Sequence, residues 1–147
     1  MFEFNADFKD VNRMLNGIAK EIKRVKGVKV GYLSGEKHPN SDSTFEKIAL
    51  SNEFGAPEHG LPPRAFIRTA FDKSTTWMLL FNDLLKTKSD FNQIVKLVGL
   101  QIRNNLIESI DSNIPPANAP ETIKRKGSDK TLIDTGALRN AIHTQVY

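Results

Sequence analysis

Apolar residues recur at three- and four-residue steps over residues 5–26, where Phe8, Val11, Leu15, Ile18, Ala19 and Ile22 mark one face of a helix. Asn5 or Asp7 is placed to cap it. Lys20, Lys23, Arg24 and Lys26 load its C-terminal end with the positive charge that the helix dipole favours. Gly27 stops the helix, and the period then falls to two. Val28-Lys29-Val30-Gly31-Tyr32-Leu33 predicts a half-buried strand. Residues 34–43 carry turn chemistry throughout and predict an exposed loop. Ser43 and Glu46 have capping-box spacing ahead of Phe45, Ile48, Ala49 and Leu50, which predicts a short helix ending at Gly55. Prolines and glycines recur too closely over residues 56–63 for an α-helix.

Two longer periodic stretches follow. Phe66, Ala70, Phe71, Trp77, Leu80, Phe81 and Leu84 predict a helix over residues 65–86, with Trp77 in the core or at an interface. Ile94, Val95, Leu97, Val98, Ile102, Leu106 and Ile110 predict another over residues 91–109, capped by Ser89 or Asp90. Prolines keep residues 113–120 extended, and residues 121–130 are polar and basic, so a long loop over 113–131 is expected. The last residues predict a helical turn at 135–139 capped by Asp134, then a strand over 141–147. The expected architecture is a single α+β domain over residues 1–147. Three long or medium helices and one short helix pack on a small, mainly antiparallel sheet that includes the C-terminal strand.

Composition narrows the chemistry. The chain has 147 residues, is 39% hydrophobic and 26% charged, and so has the makeup of a globular domain able to bury a core. With no cysteine there is no disulfide framework, thiolate metal site or cysteine nucleophile. No apolar run approaches the roughly 20 residues that span a bilayer, so no membrane partner is expected. The opening MFEFNADFKD lacks the basic-then-apolar order of a secretory signal, and a cytosolic site of synthesis is expected.

Catalytic patterns are missing. His38, His59 and His143 fall in separate contexts, and the acid pairs Glu53/Glu58 and Asp129/Asp134 lack an apolar setting that would split their pKa values. No nucleophile elbow, phosphate-binding loop or dinucleotide fingerprint occurs. No catalytic, cofactor-binding or metal-binding residue is therefore assigned, and an enzyme is not expected. The net charge of +4 permits contact with nucleic acid without requiring it. The strongest cluster is Lys124-Arg125-Lys126 with Lys130, suited to phosphate contact or to a solvated loop; no aromatic residue interleaves with it to stack on bases.

Three phrases occur in order. Glu53-Phe54-Gly55 leads to Pro62-Pro63-Arg64-Ala65-Phe66-Ile67-Arg68, then comes Thr122-Ile123-Lys124-Arg125-Lys126-Gly127, and last Leu132-Ile133-Asp134-Thr135-Gly136-Ala137-Leu138. In these phrases the chain resembles the neck, tail-completion and minor tail proteins of long-tailed bacteriophages and prophages. The resemblance implies a structural part of the virion, made in the host cytoplasm and retained at the neck or the head-proximal end of the tail. It implies a homo-oligomeric ring, hexameric or dodecameric, around the DNA path. The implied partners are head-completion or connector proteins and tail-terminator or tail-tube proteins, with non-specific contact to packaged DNA. Lys124, Arg125, Lys126 and Lys130 would then meet a partner or line the DNA channel. Glu53, Phe54, Gly55, Pro62, Pro63, Arg64 and Phe66 would set the loop-to-helix junction, and Asp134, Thr135, Gly136 and Leu138 the C-terminal turn. The alternative from the residues alone is a small basic nucleic-acid-binding module using the 124–130 loop. A hydrolase with a histidine–carboxylate site built from loops is the third reading.

Overall fold

A computed structural model of the chain describes residues 8–72, 74–87 and 90–147. The helices are α1 (Phe8–Arg24), α2 (Phe45–Phe54), α3 (Phe66–Asp72), α4 (Ser74–Lys86), α5 (Phe91–Asp111), α6 (Pro120–Lys126) and α7 (Ala137–Asn140). A 3-10 turn spans Pro57–His59, and the strands are β1 (Val28–Gly31) and β2 (His143–Val146). The class is α+β. Its small sheet pairs β1 with β2 antiparallel, setting Val28 opposite Val146 and Gly31 opposite His143. The pairing extends beyond the strands, because the Tyr147 carbonyl accepts from the Lys26 and Gly27 amides and Tyr147 N–H donates to Gly27 O.

α5 is the element on which the others gather. Ile94, Val95, Val98, Gly99, Leu106 and Ile110 are buried at helical spacing, and α1, α3, α4 and both strands contact it. Asp90 caps its start through Asn92 N–H at 3.1 Å. Gly99 is small for a reason: a Cβ there would lie 2.5 Å from Val28 Cγ2 and 2.7 Å from Thr144 Cγ2. The sheet therefore rests directly on the helix backbone. Beyond the sheet the core is built from Phe45, Ala49, Phe66, Ala70, Leu106, Ile110, Ile114, Leu132, Leu138, Ala141 and Ile142.

Several boundaries differ from the sequence-based expectation. The stretch expected as a helix over 65–86 is helical on both sides of Lys73, as α3 and α4, and Lys73 itself lies outside the described residues. α2 is capped by Thr44, whose side chain accepts from Lys47 N–H, so the expected Ser43–Glu46 box does not form. Glu46 instead reaches across the preceding loop and accepts from Gly35 N–H at 2.8 Å. The stretch expected as a 113–131 loop contains α6, because Pro120 fits the first helical turn and Gly127 takes the left-handed conformation (φ 68°) that ends it. Gly136 (φ 80°) is the N-cap residue of α7, which has no side-chain cap, so Asp134 does not cap it. Thr135 Oγ1 accepts from Ala137 N–H at 3.3 Å at that corner.

On α1, Leu15 and Ile22 are 53% and 50% exposed, so the expected apolar face is only partly covered. The proposed caps Asn5, Asp7 and Ser89 lie outside the described residues.

Candidate functional site

The first phrase builds a junction between two helices. Glu53, near the end of α2, is 5% exposed, and its carboxylate accepts from Ile67 N–H at 2.7 Å and Arg68 N–H at 3.1 Å. It thus satisfies two amides left free at the start of α3 and puts negative charge at the positive end of that helix. Gly55 then turns the chain at φ 79°. A Cβ there would meet Pro63 N at 2.9 Å, so glycine is required on both counts. Phe54 stays 66% exposed. Pro62 and Pro63 keep the return segment extended, and Arg64 N–H donates to Asn52 O at 2.6 Å. Phe66 is fully buried, and its carbonyl accepts from the buried Ser109 hydroxyl at 2.7 Å.

Arg64 links this junction to the segment that precedes the second phrase. Its side chain is nearly fully buried and meets no carboxylate; Nε donates to Pro116 O at 3.0 Å, while Nη2 donates to Ala117 O at 3.4 Å and Asn118 Oδ1 at 3.2 Å. Asn118 Nδ2 passes the connection on to Asp129 O and Lys130 O, and Asn113 Oδ1 accepts from Thr131 N–H at 2.8 Å. The proline-rich segment and α6 are therefore folded onto the domain by hydrogen bonds centred on one guanidinium. Desolvation lowers the Arg64 pKa from its ordinary value.

The basic cluster divides at α6. Lys124, Arg125 and Lys130 are exposed, whereas Lys126 is half-buried and its ammonium donates to Lys130 O at 2.5 Å. Burial lowers the Lys126 pKa, opposed by the attraction of Asp134 and aided by repulsion from Arg64 and Arg125.

All three phrases converge on a cleft of about 530 Å³ between α2, α6 and the 131–138 segment. Arg64, Arg125 and Lys126 line it with Asp134, Thr135, Gly136 and Leu138. Lys124, Lys130, Glu53, Phe54, Gly55, Pro62, Pro63 and Phe66 lie outside its lining. Three further participants had no pattern to announce them. His38 stands in the lining with its Nδ1 accepting from Asn40 N–H at 3.1 Å, its ring edge-on to Phe45. Asn118 holds the wall together, and Thr131 is 8% exposed with its Oγ1 unpartnered. Only the prolines around Asn118 hinted at a fixed backbone there.

His59 and His143 are elsewhere and exposed, and the Glu53 carboxylate is already taken up by the α3 amides. Among the described residues no group of three or more His, Asp or Glu side chains could hold a metal, and no helix is long and apolar enough to cross a membrane. No family model matches this chain, and no curated protein or solved structure is significantly similar to it.

Proposed function

We propose that the chain is a non-catalytic structural subunit of a tailed-phage or prophage-derived particle. In this reading it forms a closed homo-oligomeric ring at the neck or the head-proximal tail end, between connector and tail-tube or terminator proteins. The DNA path runs through the ring. One observation carries the proposal: residues of all three phrases, Arg64, Arg125 and Asp134 among them, meet around one cleft. Glu53 caps α3, Arg64 ties the returning loop to Pro116, Ala117 and Asn118, and Asn118 holds the backbone at Asp129 and Lys130.

The mechanism is geometric. A ring closes when a head-to-tail interface repeats with a rotation that returns to its start. The two-stranded sheet leaves main-chain groups along its outer edges, which suits strand addition between neighbours. Lys124 and Lys130 project from the α6 end and give each copy a pair of charges for non-specific phosphate contact.

The reading is tested by mass photometry and negative-stain microscopy of the purified protein, with and without the tail-tube protein of the same genome. A discrete closed multimer is expected. A monomer that binds duplex DNA tightly at physiological salt, with no multimer in either mixture, would overturn it in favour of a nucleic-acid-binding module.

A further inference from the structure

Among the described residues, three places stand out for chemistry that the fold does not use. Among the apolar residues exposed on α1, α4 and α5 are Leu15, Met78, Leu79 and Leu97, and nothing in the structure indicates what would cover them. The narrow gap beside Trp77 and Asn105 has two unpartnered donors but no room for a ligand. The cleft at the meeting point of the three phrases is different, because it has volume, charge and an unused polar group together.

Its charge is unbalanced. Three cations line it, Arg64, Arg125 and Lys126, against one carboxylate, Asp134. The two deeper cations are held by neutral acceptors: Arg64 by two carbonyls and an amide oxygen, Lys126 by the Lys130 carbonyl. Those contacts use Arg64 Nε and Nη2 and leave Nη1 out. Thr131 adds a hydroxyl without a partner. A buried guanidinium hydrogen-bonded only to neutral oxygens, beside a half-buried ammonium and Arg125 that share the single carboxylate Asp134, attracts an anion, and such charge-assisted bonds are among the strong ones.

Shape selects the class of anion. Arg64, at 4% exposure, lies beyond reach of a phosphate on the convex surface of a duplex. The walls also include Ile48, Leu61, Leu132 and Leu138, which suit an apolar side chain next to the charge. We propose that this cleft binds an acidic peptide segment bearing an apolar side chain, and that in the assembled particle a second copy of this chain supplies it. The chain has such a sequence in Phe2-Glu3-Phe4-Asn5-Ala6-Asp7-Phe8, with two carboxylates, three aromatic rings and no cation. Binding by the cleft stands on the cleft's own residues; the assignment to a second copy rests on the subunit reading above.

The probe is the synthetic peptide MFEFNADF, labelled with fluorescein and titrated with the full-length protein by anisotropy. Saturable binding that weakens with salt is expected. The double variant Arg125→Ala/Lys126→Ala, shown by circular dichroism to be folded, weakens it about tenfold or more, and so does replacing Glu3 and Asp7 of the peptide by Gln and Asn. Binding that is absent, or unchanged in both substitutions, overturns the site. Displacement of the peptide by a short duplex, but not by unlabelled peptide, makes the cleft a phosphate site and overturns the peptide assignment. For the source, saturating peptide is expected to dissociate multimers of the wild-type protein. Multimers that withstand it, or a wild-type chain that is monomeric throughout, overturn the second copy as donor while leaving the measured peptide site intact.

Discussion

Gly99 on α5 and Val28 on β1 lie so close that a methyl group added at 99 would come 2.5 Å from Val28 Cγ2. Contact between helix backbone and strand side chain sets the distance of the sheet from the core. A glycine inside a helix weakens it by roughly 1 kcal/mol relative to alanine, so its presence at the middle of the longest helix marks packing as the stronger demand.

Gly99→Ala is therefore expected to destabilise the protein despite its better helix propensity. Overpacking costs about 1–3 kcal/mol, which the propensity gain of roughly 1 kcal/mol offsets in part, so the net loss expected in urea denaturation is up to about 2 kcal/mol. In a Val28→Ala background the same substitution should cost clearly less, since the two positions touch and their effects are coupled. Equal costs in the two backgrounds would show that the contact does not set the spacing.

Arg64→Lys tests the link between the junction and α6. A lysine keeps the charge but offers a point donor where Arg64 serves Pro116, Ala117 and Asn118 through two nitrogens. Losing charge-assisted hydrogen bonds, one of them to the buried Asn118, costs about 2–3 kcal/mol. Hydrogen exchange is the sharper readout: protection should fall first over residues 113–131, with α5 little affected. Uniform loss across the chain would place the bond in the global core instead.

Acid should loosen the loop before α2. The amides of Glu46 itself and of Gly35 donate to the Glu46 carboxylate and lower its pKa from the ordinary value. A carboxyl depressed in the folded state stabilises it fully above the unfolded pKa, and the contribution disappears as pH falls through the folded value. The Gly35 amide resonance should titrate with a midpoint below that of a free glutamate, and Glu46→Gln should abolish that titration. A midpoint at the ordinary value would mean the amides do not hold the charge.

Legibility in the sequence followed the range of the interactions involved. α5 could be read nearly to its ends because its apolar spacing and the Asp90 cap are local. β1 and β2 could be found as strands for the same reason, each by its own alternation. Glu46 shows where locality fails: three residues after a serine it satisfied a capping pattern, but its carboxylate is drawn to an amide eleven residues back. Glu53 caps a helix that begins thirteen residues after it, so no window centred on α3 contains the cap. α6 had readable signals, Pro120 at its start and Gly127 past its end, but its polar composition offered no apolar period. The cleft was the least legible part. Its charge imbalance depends on Arg64 meeting carbonyls from residues 116 and 117, a relation that only the folded chain contains.

The pairing of Val28 with Val146 has a temporal meaning. β1 emerges early in synthesis, but its only partner strand among the described residues is made more than a hundred residues later. Until then Gly99 and its neighbours on α5 have no sheet to cover them, and contacts between distant segments form late. A chain interrupted before residue 143 would thus have neither the sheet nor its edges. That dependence acts as proofreading, since a truncated chain cannot present a finished sheet to anything that would dock on its edge.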